Sequence, residues 1–567
     1  MQLNPYQERA VRTPGHCTIL ACPGSGKTKV LSSRSAHLID NNQLGRLCAV
    51  TFTRDAATEL LHRITKEINP QDTRRVAVGT FHSLALNQLR RNSKDRIPRL
   101  VSEAEKFGIL RRCWKEHAPN HNFEEVQAEL ERSKGSVSEY IFEDIALQKV
   151  CRAYQDALQA DNAMDFSDIL LKATRGMLAG TLPPLPLKWM LVDEGQDMDA
   201  VQREWILCHG RHGIEITLVG DDDQSLYSFR HALGYAGLQQ VTETLNSVEL
   251  TLPVNYRCGK KILSHAAKLI VHNTDRAPKN ISADRDDDGV IEVKRVADRN
   301  GELDEMVRLL ATEGRAQWAV LARTNAILDE VEAALETGGI PTKRSGGKSI
   351  WESGVAAIFV GLLRSINDDS WTGVANALAF AGGSGSWINA HSREEVKGCI
   401  ERLTQAVETA PNEQSRKVGL ALREGLLSWT TQSQKERVSL VVYGVSGFLT
   451  RYCKESQLRL LERVRDSFAQ LSGSIGQRLS FISRNDRKDE TVSGMVQLLT
   501  LHSSKGLEFD NVWIAAVEEG NLPHTDALVE DERRLMYVGM TRARNRLVIS
   551  SALEEGLESR FLEEAGI

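Results

Sequence analysis

Two short segments far apart in the chain set the terms on which it can fold. Near the start, the apolar strand Thr18-Ile19-Leu20 runs into Ala21-Cys22-Pro23-Gly24-Ser25-Gly26-Lys27-Thr28. Small residues in such a loop let backbone N–H groups wrap a phosphate, Lys27 adds a point charge, and the Thr28 hydroxyl is a magnesium ligand. Much later, Met190-Leu191-Val192 runs into Asp193-Glu194-Gly195-Gln196-Asp197. That strand delivers Asp193 to the same metal ion, with Glu194 beside it to orient or deprotonate a water. A chain carrying both segments is expected to hydrolyse ATP or GTP. What the hydrolysis drives is the remaining question.

Composition narrows the field without answering that question. A length of 567 residues exceeds one ordinary core and suggests several domains. Hydrophobic content of 41% with 26% charged residues is that of a soluble globular protein. The net charge of −5 does not announce a nucleic-acid binder, but a local basic groove is invisible in a whole-chain sum. Nine scattered cysteines form no Cys-x-x-Cys pair, so zinc and iron–sulfur clusters are not expected, and reduced buried thiols are. The start, Met1-Gln2-Leu3-Asn4-Pro5, lacks the pattern of a signal peptide, and the longest apolar stretch, 355–363, is short for a membrane span. A cytoplasmic protein is expected.

Short apolar strands alternate with polar turns and helical stretches, the pattern of parallel sheets flanked by helices. The first series includes Leu47-Cys48-Ala49-Val50, Val76-Ala77-Val78 and Ile216-Thr217-Leu218-Val219; the second includes Trp318-Ala319-Val320-Leu321, Val496-Gln497-Leu498-Leu499 and Leu547-Val548-Ile549. The fold class predicted is α/β, with two nucleotide-hydrolase cores and a mainly helical insertion in each. Residues 1–87 and 186–250 are assigned to the first core, 88–185 to its insertion, 251–356 and 491–567 to the second core, and 357–490 to its insertion.

Further motifs, in order, resemble the UvrD/Rep branch of superfamily 1 helicases. Leu3-Asn4-Pro5-Tyr6-Gln7 is similar to that family's adenine-reading segment. Thr51-Phe52-Thr53-Arg54 and Gly79-Thr80-Phe81-His82-Ser83 resemble its first two loops on single-stranded DNA. Met164-Asp165-Phe166-Ser167-Asp168 stands where the family returns from its first insertion. The run from Val219 through Asp221-Asp222-Asp223-Gln224 to Tyr227-Ser228-Phe229-Arg230 is similar to the segment coupling γ-phosphate to DNA. Asn255-Tyr256-Arg257, the run from Leu501 to Phe509, and Tyr537-Val538-Gly539-Met540-Thr541-Arg542-Ala543 complete the set. A phosphate loop alone is shared by kinases, GTPases and transporters; this many motifs in one order are far more specific.

The resemblance implies two cores of RecA type and gives the residues roles. Residues 21–28 cradle the phosphates, Lys27 neutralises them, and Thr28 with Asp193 holds Mg2+. Glu194 is the expected base and Gln224 the γ-phosphate sensor. Arg257 and Arg542 are candidate arginine fingers. Tyr256 is expected to stack on adenine with Gln7 at its edge, favouring ATP, and Glu508 to accept from a ribose hydroxyl. Phe52, Thr80, His82, Tyr227, Phe229 and Arg230 are the candidate DNA contacts, since stacking on bases tolerates any sequence. For Phe52, directly after a strand, core packing is an equal reading. Basic residues in the insertions, such as Arg90, Arg91, Arg111, Arg112, Arg459 and Arg478, are interleaved with acids and read as solvated helix faces or as phosphate contacts. Cys22 would be a redox switch only if exposed and of low pKa.

The implied activity is ATP-dependent translocation on single-stranded DNA, or at a single/double-strand junction, with helicase action of 3′-to-5′ polarity and a place in DNA repair. Translocation is expected ahead of processive unwinding, because Ala381-Gly382-Gly383-Ser384-Gly385 is only a loose stand-in for the family's duplex-contacting segment, and the chain ends soon after Arg542. A second reading is the motor or nucleotide-sensing subunit of a nuclease-containing antiphage (Gabija-like) or repair complex, since the chain has no nuclease motif of its own. A third, a nucleotide kinase, is disfavoured by Glu194 and the two candidate fingers.

Overall fold

The strands that precede the two nucleotide segments lie in one sheet of six parallel strands. Its order is Val76–Thr80, Leu47–Thr51, Trp189–Val192, Glu215–Gly220, Cys17–Ala21, Val248–Leu252. Every residue of Cys17–Ala21, Leu47–Thr51 and Trp189–Val192 is buried, as strands covered by helices on both faces must be. One side of the sheet carries Ile19, Ala49, Leu191 and Val219 with the helix Lys27–Asp40; the other carries Val50, Val192 and Leu218 with Phe81 and Trp205. The order jumps at Cys17–Ala21, whose neighbours are Glu215–Gly220 and Val248–Leu252. Open α/β sheets leave a crevice at the carboxyl ends of their strands where such a jump occurs. The phosphate loop, Asp193 and the acidic run from Asp221 all follow strands at that end.

The computed structural model describes residues 2–93, 97–227, 231–312, 317–344, 351, 354–392, 398–471, 473–485 and 494–567. By packing, the chain divides into two units. Met1–Asp288, Leu528–Tyr537 and Glu564–Gly566 make the first, and Gly289–Ala527, Val538–Glu563 and Ile567 the second. Compactness therefore draws the line later than the sequence pattern did at 251. The reason is local: Val254–Asn255 pairs with Ser282–Ala283 in a two-stranded ribbon, and the intervening segment bonds to groups of the first unit.

The second unit has its own sheet of six parallel strands, in the order Val290–Val296, Ala543–Ala552, Phe509–Ile514, Trp318–Ala322, Val496–Thr500, Thr342–Arg344. Between Thr342–Arg344 and Val496–Thr500 the described chain is helical, from Gly354–Asp368 to Ile475–Asn485, around a core that includes Phe359, Leu422, Val441 and Phe468. In the first unit, the helices Glu103–His117, Phe123–Lys134 and Ile145–Ala160 pack on Leu110, Val126, Tyr154 and Leu158. A two-residue parallel pair, Arg99–Leu100 with Ala163–Met164, closes that insertion.

A buried charge cluster ties the insertion's helices to the helix Phe166–Leu178, whose Ile169, Leu170 and Met177 pack in the core on one side of the first sheet. Lys134, at the end of Phe123–Lys134, donates to Asp165 at 2.6 Å and to Asp168 at 2.8 Å, and the Tyr154 hydroxyl donates to Asp165 at 2.9 Å. Asp165 and Asp168 also form the capping box of Phe166–Leu178, each accepting the other's backbone N–H. Burial pushes the Asp165 carboxyl up, but the Lys134 ammonium and the hydrogen bonds outweigh it and hold it below the usual range. A depressed carboxyl stabilises the fold above the ordinary carboxylate pKa and loses that contribution as pH falls through its own. Lys134→Met strands two buried carboxylates and is expected to cost about 3–5 kcal/mol, read as a lower denaturant midpoint at neutral pH. An unchanged midpoint would remove the cluster as a fastening.

Candidate nucleotide and nucleic-acid site

The phosphate loop is shaped by two glycines in left-handed backbone, Gly24 at φ 62° and Gly26 at φ 79°. Space as well as torsion requires them. A Cβ on Gly24 would lie 2.7 Å from the Cβ of Arg257, and one on Gly26 would lie 3.0 Å from Gln7 Nε2. The loop is thus pressed between the N-terminal helix and residues 254–257. Asn255 Nδ2 donates to the Pro23 carbonyl at 2.6 Å, Tyr256 N–H to the Gly24 carbonyl at 3.0 Å, and Gln7 Nε2 to the Ser25 carbonyl at 2.9 Å. Gln7 is N3 of the helix Pro5–Arg12, in a capping box with Asn4, whose Nδ2 reaches the Tyr256 hydroxyl at 2.5 Å. Gln7 and Tyr256, paired in sequence terms only by an expected base, stand here beside the same loop.

Lys27 opens the helix Lys27–Asp40, whose first-turn N–H groups and dipole face the cradle. Its Nζ lies 3.2 Å from Glu194 Oε2. Burial alone would lower the Lys27 pKa; the carboxylates of Glu194, Asp221 and Asp193 more than offset it, and the net shift is upward. Glu194 itself sits at φ 52°, a strained setting for a residue with a Cβ, which its neighbours hold in place. Gln196 Nε2 donates to Glu194 Oε2 at 2.7 Å, while Gln196 Oε1 accepts from Asp221 N–H at 2.9 Å. Asp193 continues its strand by donating its N–H to the Val50 carbonyl at 3.0 Å. Gln224 donates to Asp221, so the sensor candidate and the base candidate are joined through Gln196 and Asp221. Glycines that a Cβ would displace, a cation and two adjacent carboxylates fit a triphosphate with a divalent ion held by Thr28 and Asp193.

A second group lies at the ends of Leu47–Thr51 and Val76–Thr80. The Phe52 ring is half-buried and meets Phe81 edge-on at 5.3 Å; Phe81 in turn meets Trp205 at 6.0 Å. Thr80 caps the helix Phe81–Asn92, accepting from Ser83 N–H at 3.3 Å. The His82 ring stacks on Phe166 at 3.9 Å with planes 18° apart, and half of Phe166 remains exposed. Burial pushes the His82 pKa down to about 4, so the ring is neutral at physiological pH. Tyr227 is half-buried; Phe229 and Arg230 lie outside the described residues.

Family models cover most of the chain. The UvrD/REP helicase N-terminal domain matches residues 3–236, and the UvrD-like helicase C-terminal domain matches residues 250–370 and 391–554. The chain belongs to the UvrD-like helicase family. It is 26% identical to the ATP-dependent DNA helicase PcrA of Bacillus subtilis (strain 168), over 99% of this chain and 85% of that protein. It is 29% identical to DNA helicase II of Escherichia coli (strain K12), over 97% of this chain and 84% of that protein. With the ATP-dependent DNA helicase UvrD1 of Mycobacterium leprae (strain TN) the identity is 27%, over 99% and 85%.

Among the UvrD-like motifs, those that hold Gln7, residues 21–28, Asp193, Glu194, Gln224, Tyr256 and Arg257 fall in the first unit, and Glu508 and Arg542 in the second. Glu508 pairs with Arg544. Arg542 is buried, its Nε donating to the Val538 carbonyl at 2.9 Å and Nη1 to the Leu507 carbonyl at 3.0 Å. Several insertion cations are occupied locally: Arg99 with Glu105, Arg459 with Glu555, Arg111 over the Phe107 ring, and Arg478 on the Phe468 and Ala469 carbonyls. Sequence reasoning passed over two groups, Phe166 and Gln196. Phe166 stands in a recognised motif, and its aromatic character beside capping acids was the available signal. Gln196 lies two residues past Glu194, where a buried amide has carboxylates to bridge.

Cys22 is fully buried and burial raises its thiol pKa strongly, with Asp221 adding to the shift, so the conditions for a redox switch are not met. Cys453 is the partly exposed one of the nine cysteines. Maleimide treatment of the native chain near neutral pH is therefore expected to label Cys453 first and Cys22 only after unfolding, as read by peptide mass spectrometry. Early labelling of Cys22 would show that the phosphate loop opens.

Proposed function

We propose that this chain is an ATP-driven motor that moves on single-stranded DNA with 3′-to-5′ polarity and separates strands as a DNA helicase. The observation that carries the reading is the bonded line from Lys27 through Glu194, Gln196 and Asp221 to Gln224, which joins the loop 21–28 to the segment expected to lead to DNA. Similarity to proteins named ATP-dependent DNA helicases supports the choice of ATP and of DNA.

The chemistry follows from the order of charges. In the structure Lys27 and Glu194 satisfy one another. Phosphate oxygens compete for the Lys27 ammonium, which releases Glu194 to take the proton of an attacking water. Magnesium, when bound by Thr28 and Asp193, supplies neutralisation of charge on the phosphate oxygens. Gln224, tethered to Asp221, meets the transferring group, and Arg257 adds positive charge where the transition state gathers negative; Arg542 is the second unit's candidate for the same role. Tyr256 stacks on adenine and Gln7 reads its edge, while Glu508 accepts from the ribose. On the DNA side, the half-exposed Phe166 ring, stacked on His82, offers a base a platform in the group that holds Phe52 and Thr80, and Tyr227, Phe229 and Arg230 are the further contacts from one sequence motif.

Steady-state ATP hydrolysis with and without a single-stranded oligonucleotide tests the reading. Strong stimulation is expected, and Glu194→Gln should still bind ATP while hydrolysing it about a hundredfold or more slowly. A rate that ignores DNA would overturn the motor, and a fully active Glu194→Gln would remove the base. Phe166→Ala should weaken single-strand binding by about 1–3 kcal/mol with unstimulated hydrolysis intact, as measured by fluorescence anisotropy. Unchanged affinity would return Phe166 to a purely structural role.

A further inference from the structure

Beside the sensor residue the acidic run poses an electrostatic problem. Asp221, Asp222 and Asp223 are all buried, and three adjacent carboxylates cannot all ionise away from water without cations. One side chain answers all three. Lys279, whose side chain is 2% exposed, places Nζ 2.9 Å from Asp221 Oδ1, 2.7 Å from Asp222 Oδ1 and 3.0 Å from Asp223 Oδ2. The same Nζ donates to the Ala21 carbonyl, the last residue of the strand that enters the phosphate loop, at 3.3 Å. Arg276 forks onto Asp223 through Nε and Nη2, both at 2.9 Å, and the Ala277 N–H donates to Asp222 at 2.7 Å. Nothing in the sequence motifs singles out Arg276 or Lys279, which lie in a polar stretch after the helix Lys260–Ile270.

The other end of that stretch is fastened as firmly. Asn273 donates to the Glu530 carbonyl at 2.9 Å and accepts from Arg533 at 2.6 Å. Thr274 gives both its N–H and its hydroxyl to the Glu530 carboxylate, and Arg534 donates to the Asp275 carbonyl at 2.9 Å. Glu530, Arg533 and Arg534 belong to the helix Val529–Met540, which the chain follows directly into Arg542.

We infer that residues 273–279 form a strap between the loop carrying Gln224 and the helix leading to Arg542, with Lys279 as the residue that positions Gln224. Lys279 acts through Asp221, which it holds on one carboxylate oxygen while Gln224 bonds the other. Its contact with the Ala21 carbonyl adds the phosphate loop to the same ammonium. A change in the acidic run thereby reaches the phosphate loop through Lys279 and the helix through Arg276 and the adjoining residues 273–275. This role rests on the ATPase reading given above.

The test is a kinetic cycle on the full-length chain in the presence of single-stranded DNA. Lys279→Met is expected to lower the stimulated kcat about tenfold or more, since small displacements of a positioned group cost at least that much. The KM for ATP should move by less than about threefold, because uniform binding is retained. Combined with Gln224→Ala, it should lower kcat no further than Gln224→Ala does alone. A merely structural lysine gives multiplying losses that follow the melting temperature, and that outcome, or a wild-type kcat in Lys279→Met, overturns the inference. Should Lys279→Met not accumulate as folded protein, Arg276→Gln is put through the same cycle and judged by the same criteria. Hydrolysis by the wild-type chain that DNA does not stimulate would count against the motor reading instead, so the two failures are distinct.

Discussion

Five carboxylates, those of Asp193, Glu194, Asp221, Asp222 and Asp223, gather at one end of the first sheet, where the proposed function would bring a strongly anionic triphosphate. The arrangement is tenable because Lys279, Arg276 and Lys27 divide the work. Lys279 holds the inner three carboxylates and the Ala21 carbonyl, with Arg276 also on Asp223, whereas Lys27 pairs with Glu194. The different partners of the two lysines follow from where their backbones enter. Lys279 comes from the segment after the helix Lys260–Ile270, and Lys27 comes off the loop 21–28 itself.

The parallel sheet explains why these groups can meet although the chain separates them widely. Each is delivered by the carboxyl end of its own strand, and the order reversal at Cys17–Ala21 leaves a crevice there. The glycines of the loop then permit Gln7 and Arg257 to close on it from either side. Local chemistry takes over at this point: a capping box sets Gln7, an asparagine side chain sets residues 254–257, and a glutamine bridge sets Glu194.

The phosphate cradle and the strand before Asp193 were legible in the sequence because each is a contiguous run whose residue types have one physical purpose. The α/β class was legible for the same reason, as short apolar strands alternate with helical stretches in each series. Phe166 and Lys279 were not, because their meaning depends on partners 84 residues back in one case and on a three-carboxylate pocket in the other. The His82 stack and the Lys279 cluster are long-range facts that no local pattern encodes. The later boundary at 288 has the same origin, since the ribbon of Val254–Asn255 with Ser282–Ala283 is too short to register as strands.

The close approach of Gly24 to Arg257 has a consequence for how such a chain can change. A methyl group at position 24 would occupy the space of the Arg257 side chain at its root, so neither segment can be remodelled independently. Grafting the loop 21–28 alone into another scaffold would import a surface cut to fit a partner left behind. The heritable unit here is a matched pair of segments, and drift in one is confined by the shape of the other.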